Sequence, residues 1–182
     1  MASIKLRPTS GSGSNWSNIG NAYDGNESTN ASVSVSIFSS PRTLTLNFDT
    51  SVIPSGATIN SATLTMRSKA GKTTITAYVD INGDSQYRVI NQKQSTTITN
   101  YTADITSYMS NLSTVMVTPY NSNWSGNTFE LYELWIDVDY TEPTTPSGTF
   151  NIKLGSTTIN NICIGNTKVT KVYIGDTLVF KN

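Results

Sequence analysis

The chain is 182 residues long, with twelve Lys and Arg balanced by twelve Asp and Glu, no histidine and one cysteine. That length suits one ordinary domain plus a small appendage, and the scattered basic residues of a neutral chain leave little counterion release to drive nucleic-acid binding. The missing histidine removes the usual general base, the Ser-His and Cys-His pairs and the commonest zinc ligand, while a lone Cys163 excludes an internal disulfide.

The opening "MASIKLRPTS" has no apolar core of signal-peptide length, and no later run approaches the roughly 20 apolar residues of a membrane span, so no membrane partner is expected. A short strand is predicted around Ile4 and Leu6, followed by a flexible surface loop, "PTSGSGSNW" (8–16). In "NAYDGNESTNAS" (21–32), Asp24, Asn26 and Glu27 can turn around a structural calcium ion, or Asp24 can close a plain Asx turn; no other cofactor is expected.

Strand patterns then recur. "SVSVSIF" (32–38) and "RTLTLNF" (42–48) alternate strictly, and further runs cover 57–70, 73–81, 85–90, 96–105, 114–120 and 129–140. Short strands at near-regular spacing, separated by Gly, Pro and Asn clusters, predict an all-β, antiparallel, jelly-roll-like sandwich. "VDINGDSQY" (79–87) spaces Asp80, Asn82 and Asp84 like the start of a calcium loop, but its glycine is misplaced, and Asn82-Gly83 reads better as a tight hairpin turn. "DITSYMSNL" (104–112) has caps and spacing for a helical turn or two. Prolines at 143 and 146 mark a linker over 143–148, separating a sandwich at 1–142 from a tail at 149–182.

In the tail, Leu154-Gly155-Ser156-Thr157, Ile164-Gly165-Asn166-Thr167 and Ile174-Gly175-Asp176-Thr177 repeat one motif at a spacing of ten. Gly followed by Ser, Asn or Asp is a two-residue hairpin loop, so the tail is predicted to be a small β-meander that bulges where apolar parity changes, between Ile159 and Ile162 and between Val169 and Val172. A sheet this small does not normally stand alone. It is expected to serve attachment or oligomerisation, through Gly155, Gly165, Tyr173, Gly175 and Phe180.

Trp16, Tyr23, Tyr120 and Trp124 lie in Asn/Ser/Gly-rich surroundings. Each reads either as a platform that stacks on a sugar ring or a protein partner, or as an aromatic tucked over a sandwich end. Trp135, in mid-strand, reads as core. Glu130, Glu133, Asp137 and Asp139 crowd one segment, where a carboxylate pair would be the one route to glycoside hydrolysis; solvent-facing strand residues explain them more simply, and no enzyme is expected.

Three stretches carry a family resemblance. "NAYDGNESTNAS" resembles the Asp-Gly-Asn loop of discoidin-like carbohydrate-binding jelly rolls and the opening of small structural domains in tailed-phage virion proteins, although Asn30 stands where an aromatic usually follows the "ST". "LTLNFDTSVIPSGATINSATLTMRSKA" (44–70) is similar to a strand pair of those sandwiches, and "VTKVYIGDTLVF" (169–180) looks like the C-terminal repeats of phage tail and virion proteins. The resemblance implies a multi-copy or homo-oligomeric virion surface protein, a capsid or tail decoration or adaptor whose partners are other virion proteins. Its alternative is a module that binds host or mucosal glycan. Deleting 147–182 is expected to leave a folded sandwich that no longer joins particles, measured by thermal melting and particle incorporation; normal incorporation of the truncated chain would count against the tail as an anchor.

Overall fold

In a computed structural model of the chain, the described residues are 1–37, 40–143 and the strand segments lying between 153 and 181. The chain divides into two compact units, Met1–Glu142 and Pro143–Asn182. Among the described residues the first contains ten strands: β1 (Ala2–Leu6), β2 (Ser10–Gly13), β3 (Ala31–Val35), β4 (Leu44–Asn47), β5 (Thr58–Ala70), β6 (Ile75–Ile81), β7 (Arg88–Lys93), β8 (Thr99–Asp104), β9 (Thr114–Asn121) and β10 (Asn127–Thr141).

All pairings are antiparallel and build two sheets. In the first, β10 takes β5 along one side and both β1 and β3 along the other, with β8 beyond β5; the second runs β2-β4-β9-β6-β7. Apart from the β6–β7 hairpin, successive strands alternate between the sheets, which is jelly-roll wiring. Alternating sequence drives this: Ile75, Ala77, Val79 and Ile81 of β6 are buried while Thr76 and Tyr78 are not. Inward residues of both sheets, among them Leu44, Leu46, Leu64, Met66, Val117 and Phe129, form one continuous core.

The long strand β10 needs a correction to its own alternation. Phe129 and Leu131 face the core, and so do Leu134, Ile136, Val138 and Tyr140, a change of parity that simple pleating forbids. A register shift against β5 between Leu131 and Glu133 absorbs one extra residue, Tyr132, and restores the inward set. Trp135 consequently stands on the outer face of the first sheet. It is buried there without joining the core, under the Lys5 ammonium 4.4 Å from its ring and with its Nε1 donating to Asp137 Oδ2 at 2.7 Å.

The stretch expected as a flexible loop after β1 contains β2, which pairs with β4 from Ser10↔Asn47 to Gly13↔Leu44. Its composition is that of a linker, but a Cβ at Gly11 would sit 2.8 Å from both Ile19 Cγ2 and Leu46 Cδ2. Close approach to neighbouring chain, not flexibility, is what these glycines supply. Asn82 and Gly83 both have positive φ (53° and 74°), as a tight turn of that sequence requires, yet the strand does not resume directly. Asp84 accepts from Gln86 N at 2.8 Å and caps a single 3₁₀ turn, Ser85–Tyr87, so β7 begins at Arg88. The expected helical turn after Asp104 is likewise one 3₁₀ turn, Thr106–Tyr108.

In the second unit, three hairpin ladders are described: β11 (Lys153–Leu154) with β12 (Thr157–Thr158), β13 (Cys163–Ile164) with β14 (Thr167–Lys168), and β15 (Lys171–Ile174) with β16 (Thr177–Lys181). Their closing pairs, Leu154↔Thr157, Ile164↔Thr167 and Ile174↔Thr177, keep the spacing of ten and each bracket two residues. Among the described residues each ladder pairs only within its own hairpin. The expected parity changes, and Gly155, Gly165 and Gly175, lie outside the described residues; Tyr173 and Phe180 stand in β15 and β16.

Phe129 meets Trp16 edge-on at 5.9 Å in the centre of the core, so Phe129→Ala is expected to cost about 3–5 kcal/mol of stability in urea unfolding of the full chain.

Candidate functional site

Outer faces of the two sheets differ in kind. On the second sheet the outward residues are Thr43, Thr45 and Asn47 beside β4, Thr114, Met116, Thr118 and Tyr120 of β9, and Thr76, Tyr78 and Asp80 of β6. The registers Leu44↔Val117, Tyr78↔Thr118 and Thr76↔Tyr120 align them in rows. Tyr78 and Tyr120 are diagonal neighbours across this face, with ring centroids 6.5 Å apart and planes tilted by 33°. On the far side of Tyr78 the Arg88 guanidinium lies over the ring, its Cζ 4.2 Å from the centroid. Asp80 holds that guanidinium in place by accepting from Nε at 2.8 Å and Nη2 at 3.2 Å. The charge-assisted bidentate pair holds Arg88 against Tyr78, so Tyr120, Tyr78 and Arg88 form a strip of neighbouring π groups.

Beside this strip is a groove of about 350 Å³, lined by Val35, Pro41, Tyr78, Pro119, Tyr120 and Asn121 with few polar atoms. Asn121 is buried and fully used: Nδ2 donates to Val35 O (3.2 Å) and Ser125 O (2.9 Å), and Oδ1 accepts from Asn123 N (3.0 Å). It thereby pins the loop 122–126 at the groove's end, and on that loop Trp124 is 75 % exposed. Thr43 and Thr118 place two hydroxyls 3.0 Å apart on the same face. Apolar ring faces bordered by hydroxyls and amide groups suit a ligand that is itself two-sided, with C–H faces and hydroxyl edges.

Of the four aromatics singled out in the sequence, the structure brings Tyr120 and Trp124 to this region. Trp16 is a correction. Only 8 % exposed, it has its ring edge-on to Phe129 and its Nε1 donating to Arg42 O at 3.0 Å, so no face is left for a ligand. Left-handed backbone at Asn15 (φ 64°) and Asn18 (φ 53°) turns that polar loop inward, aided by paired backbone bonds between Ser17 and Ser32. Tyr23 is half-buried against the core and closes over Gly11. Tyr78 and Arg88 were not singled out in the sequence. The available signal was a tyrosine on the polar parity of "TITAYVDI", where Thr76 and Asp80 mark the solvent side.

The 24–29 loop is closed by Asx-type turns. Asp24 Oδ1 accepts from Asn26 N at 2.8 Å and Oδ2 from Thr29 Oγ1 at 2.9 Å, while Asn26 Oδ1 accepts from Ser28 N at 3.1 Å. Glu27 turns away to Arg67 at 3.5 Å. Asp24 and Asn26 thus hold their own loop, and Glu27 faces an arginine of β5. The 79–87 segment is similar: Asp80 serves Arg88, Asp84 its own turn, and Asn82 Oδ1 accepts from Ser113 N (2.9 Å) and Thr114 N (3.2 Å). Among the described residues no group of three or more Cys, Asp or Glu could hold a metal ion.

The carboxylates of β10 stand apart, each with its own partner. Glu130 pairs with Lys69 at 3.2 Å and accepts from Tyr132 Oη; Asp137 pairs with Lys5 at 3.6 Å; Asp139 accepts from Ser61 Oγ at 3.0 Å. Glu133 is fully buried, accepting from Arg7 Nε at 3.0 Å and Gly25 N at 3.1 Å. They line one strand's outer face with separate partners, an arrangement unlike two carboxylates facing each other across a scissile bond.

No protein-family model and no curated protein matches the chain. Solved structures similar to it include the CBM32 of AlyQ in complex with 4,5-unsaturated mannuronic acid, at a TM-score of 0.44 and 14 % identity over 73 % of this chain and 97 % of that one. A truncated AlyQ with CBM32 and alginate lyase domains matches at 0.44 and 14 %, over 82 % of this chain and 37 % of that one. The CBM36-1 domain of a multidomain xylanase from the hindgut metagenome of Trinervitermes trinervoides matches at 0.40 and 10 %, over 78 % and 99 %. Similarity of this degree assigns neither a ligand nor a binding residue to this chain. The chain's own strands define its class, a two-sheet antiparallel β-sandwich with an aromatic, hydroxyl-rich face on one sheet.

Burial pushes the Glu133 carboxyl above its ordinary value of 4.5, against the opposing pull of Arg7 and the Gly25 N–H. A raised folded-state value means that the folded chain holds the proton longer, so this group's contribution to stability is full below about 4.5 and is lost as pH rises through the raised value. The unfolding free energy of the wild type relative to Glu133→Gln is expected to fall across that window, and an NMR titration of the Glu133 carboxyl should have its midpoint above 4.5.

Proposed function

We propose that the sandwich is a non-catalytic carbohydrate-binding module whose ligand lies along the outer face of the second sheet. The observation that carries this reading is the Tyr78–Tyr120 pair, two half-exposed rings 6.5 Å apart over a sheet face whose other outward groups are mainly threonine and asparagine. A pyranose has the complementary make-up: an apolar C–H face for the rings and hydroxyls for Thr43, Thr118 and the free Arg88 N–H groups. Stacking buries rigid aromatic area at low entropic cost, and hydroxyl and amide contacts set orientation. Trp124 extends the platform at the groove's end.

The tail favours a second component of the role. Three hairpins repeated every ten residues, in a segment similar to repeats of phage tail and virion proteins, suit attachment or oligomerisation through strand pairing. The resulting reading is a glycan-binding sandwich displayed on a tailed-phage particle, in several copies, with other virion proteins as the tail's partners. Localisation to the virion rests on that sequence resemblance.

Tyr78→Ala and Tyr120→Ala are each expected to weaken binding of a recognised polysaccharide at least about tenfold in affinity electrophoresis or calorimetry, with unfolding midpoints close to wild type. Trp16→Phe, in the core, should leave affinity unchanged. A glycan array on which the intact chain binds nothing would overturn the proposal.

A further inference from the structure

The glycan reading leaves open whether the ligand is neutral or charged, and the distribution of charge on the platform bears on that choice. Registers Asp80↔Arg88, Tyr78↔Asn91 and Thr76↔Lys93 place Arg88, Asn91 and Lys93 on the same outer face as the two tyrosines, along the edge strand β7. A register shift between Val79 and Asp80 absorbs Val89, which is how Arg88 and Asn91 come to share a face although they are three residues apart. Thr76 in turn pairs with Tyr120, so one row across the sheet runs Tyr120, Thr76, Lys93.

This face carries one carboxylate among the outward strand residues, Asp80, and Arg88 already takes both of its oxygens. Lys93 is exposed and has no ion pair among the described residues, in contrast to Lys5 and Lys69 on the other sheet, which face Asp137 and Glu130. After internal pairing the aromatic platform therefore keeps a net positive charge at one border. Arg88 adds to it directionally, since Asp80 uses Nε and Nη2 and leaves the Nη1 donors pointing away from the pair.

We propose that the platform takes an acidic polysaccharide, with Lys93 receiving the carboxylate or sulfate of a sugar whose ring, or whose neighbour's ring, stacks on Tyr120 and Tyr78. This inference rests on the glycan-binding reading and adds the charge class of the ligand. A compact ammonium on a flexible stem suits a point anion that varies in position along a chain, and the platform's neutral remainder keeps the attraction local.

The test uses the full chain in affinity electrophoresis and calorimetry, with three probes: polygalacturonate, a sulfated galactan and a neutral galactan. Tighter binding of either acidic probe than of the neutral one, a loss of about tenfold for it in Lys93→Gln, retention in Lys93→Arg and a weakening with added salt in the wild type that Lys93→Gln reduces would support the proposal. Preference for polygalacturonate alone identifies a carboxylate, and for the galactan sulfate alone a sulfate. Equal binding of acidic and neutral probes, lost in Tyr120→Ala but unchanged in Lys93→Gln, overturns the charged-ligand proposal and leaves the glycan-binding reading standing. Failure of all three probes, together with an empty glycan array, overturns both.

Discussion

One extra residue in β10 holds the sandwich together. This fifteen-residue strand pairs with β5 along one side and with β3 and then β1 along the other, so it ties three others together in the first sheet. Without the bulge at Tyr132, either Phe129 and Leu131 or Leu134 through Tyr140 would point to solvent. The same irregularity falls where β3 has ended and β1 has not begun, and the gap in that edge admits the loop following β1. Glu133 is the buried group that this loop closes over. Its pairing with Arg7, and with Gly25 N of the 24–29 loop, links both loops to the strand, and removing Arg7 would leave the buried carboxylate with the Gly25 N–H alone.

This arrangement accompanies a difference between the two outer faces. The first sheet's face is taken up by loop 24–29 and by charges that neutralise one another: Arg7 with Glu133, Lys69 with Glu130, Lys5 with Asp137, Arg67 with Glu27. Most of these are partly exposed pairs worth well under about 1 kcal/mol each, and their effect is to cover rather than to bind. The second sheet's face carries threonines, two tyrosines and a locked arginine instead, with a groove at its edge. Its two tyrosines stand on central strands, β6 and β9, whose alternate residues are fixed in the interior, and its arginine on the edge strand β7.

Much of the architecture was legible in the alternation of the chain. The strands near 31–35, 44–47, 58–70, 75–81, 114–121 and 127–141 follow directly from period-two runs, as do the turn at Asn82-Gly83 and the hairpin ladders of the tail. β2 was hidden because "SGSG" has no side chains with which to announce a face; its place comes from Leu46 and Ile19 pressing on Gly11. Part of the site was legible too. Tyr120 and Trp124 sit in polar surroundings that betray exposure, whereas Trp16 sits in the same kind of surroundings and is buried.

The sequence by itself determined the all-β class, the positions of most strands, the absence of histidine chemistry and the parity that puts Tyr78 and Tyr120 on solvent faces. Those are local properties, set by side-chain period and composition. Only the tertiary structure decided which aromatic turns inward, which carboxylates meet which cations, and that Tyr78, Tyr120 and Arg88 lie on one face though β7 and β9 are separated by twenty residues of chain. Such groupings depend on strand order and register, which are fixed by burying apolar faces of distant segments together, and no local pattern carries that information.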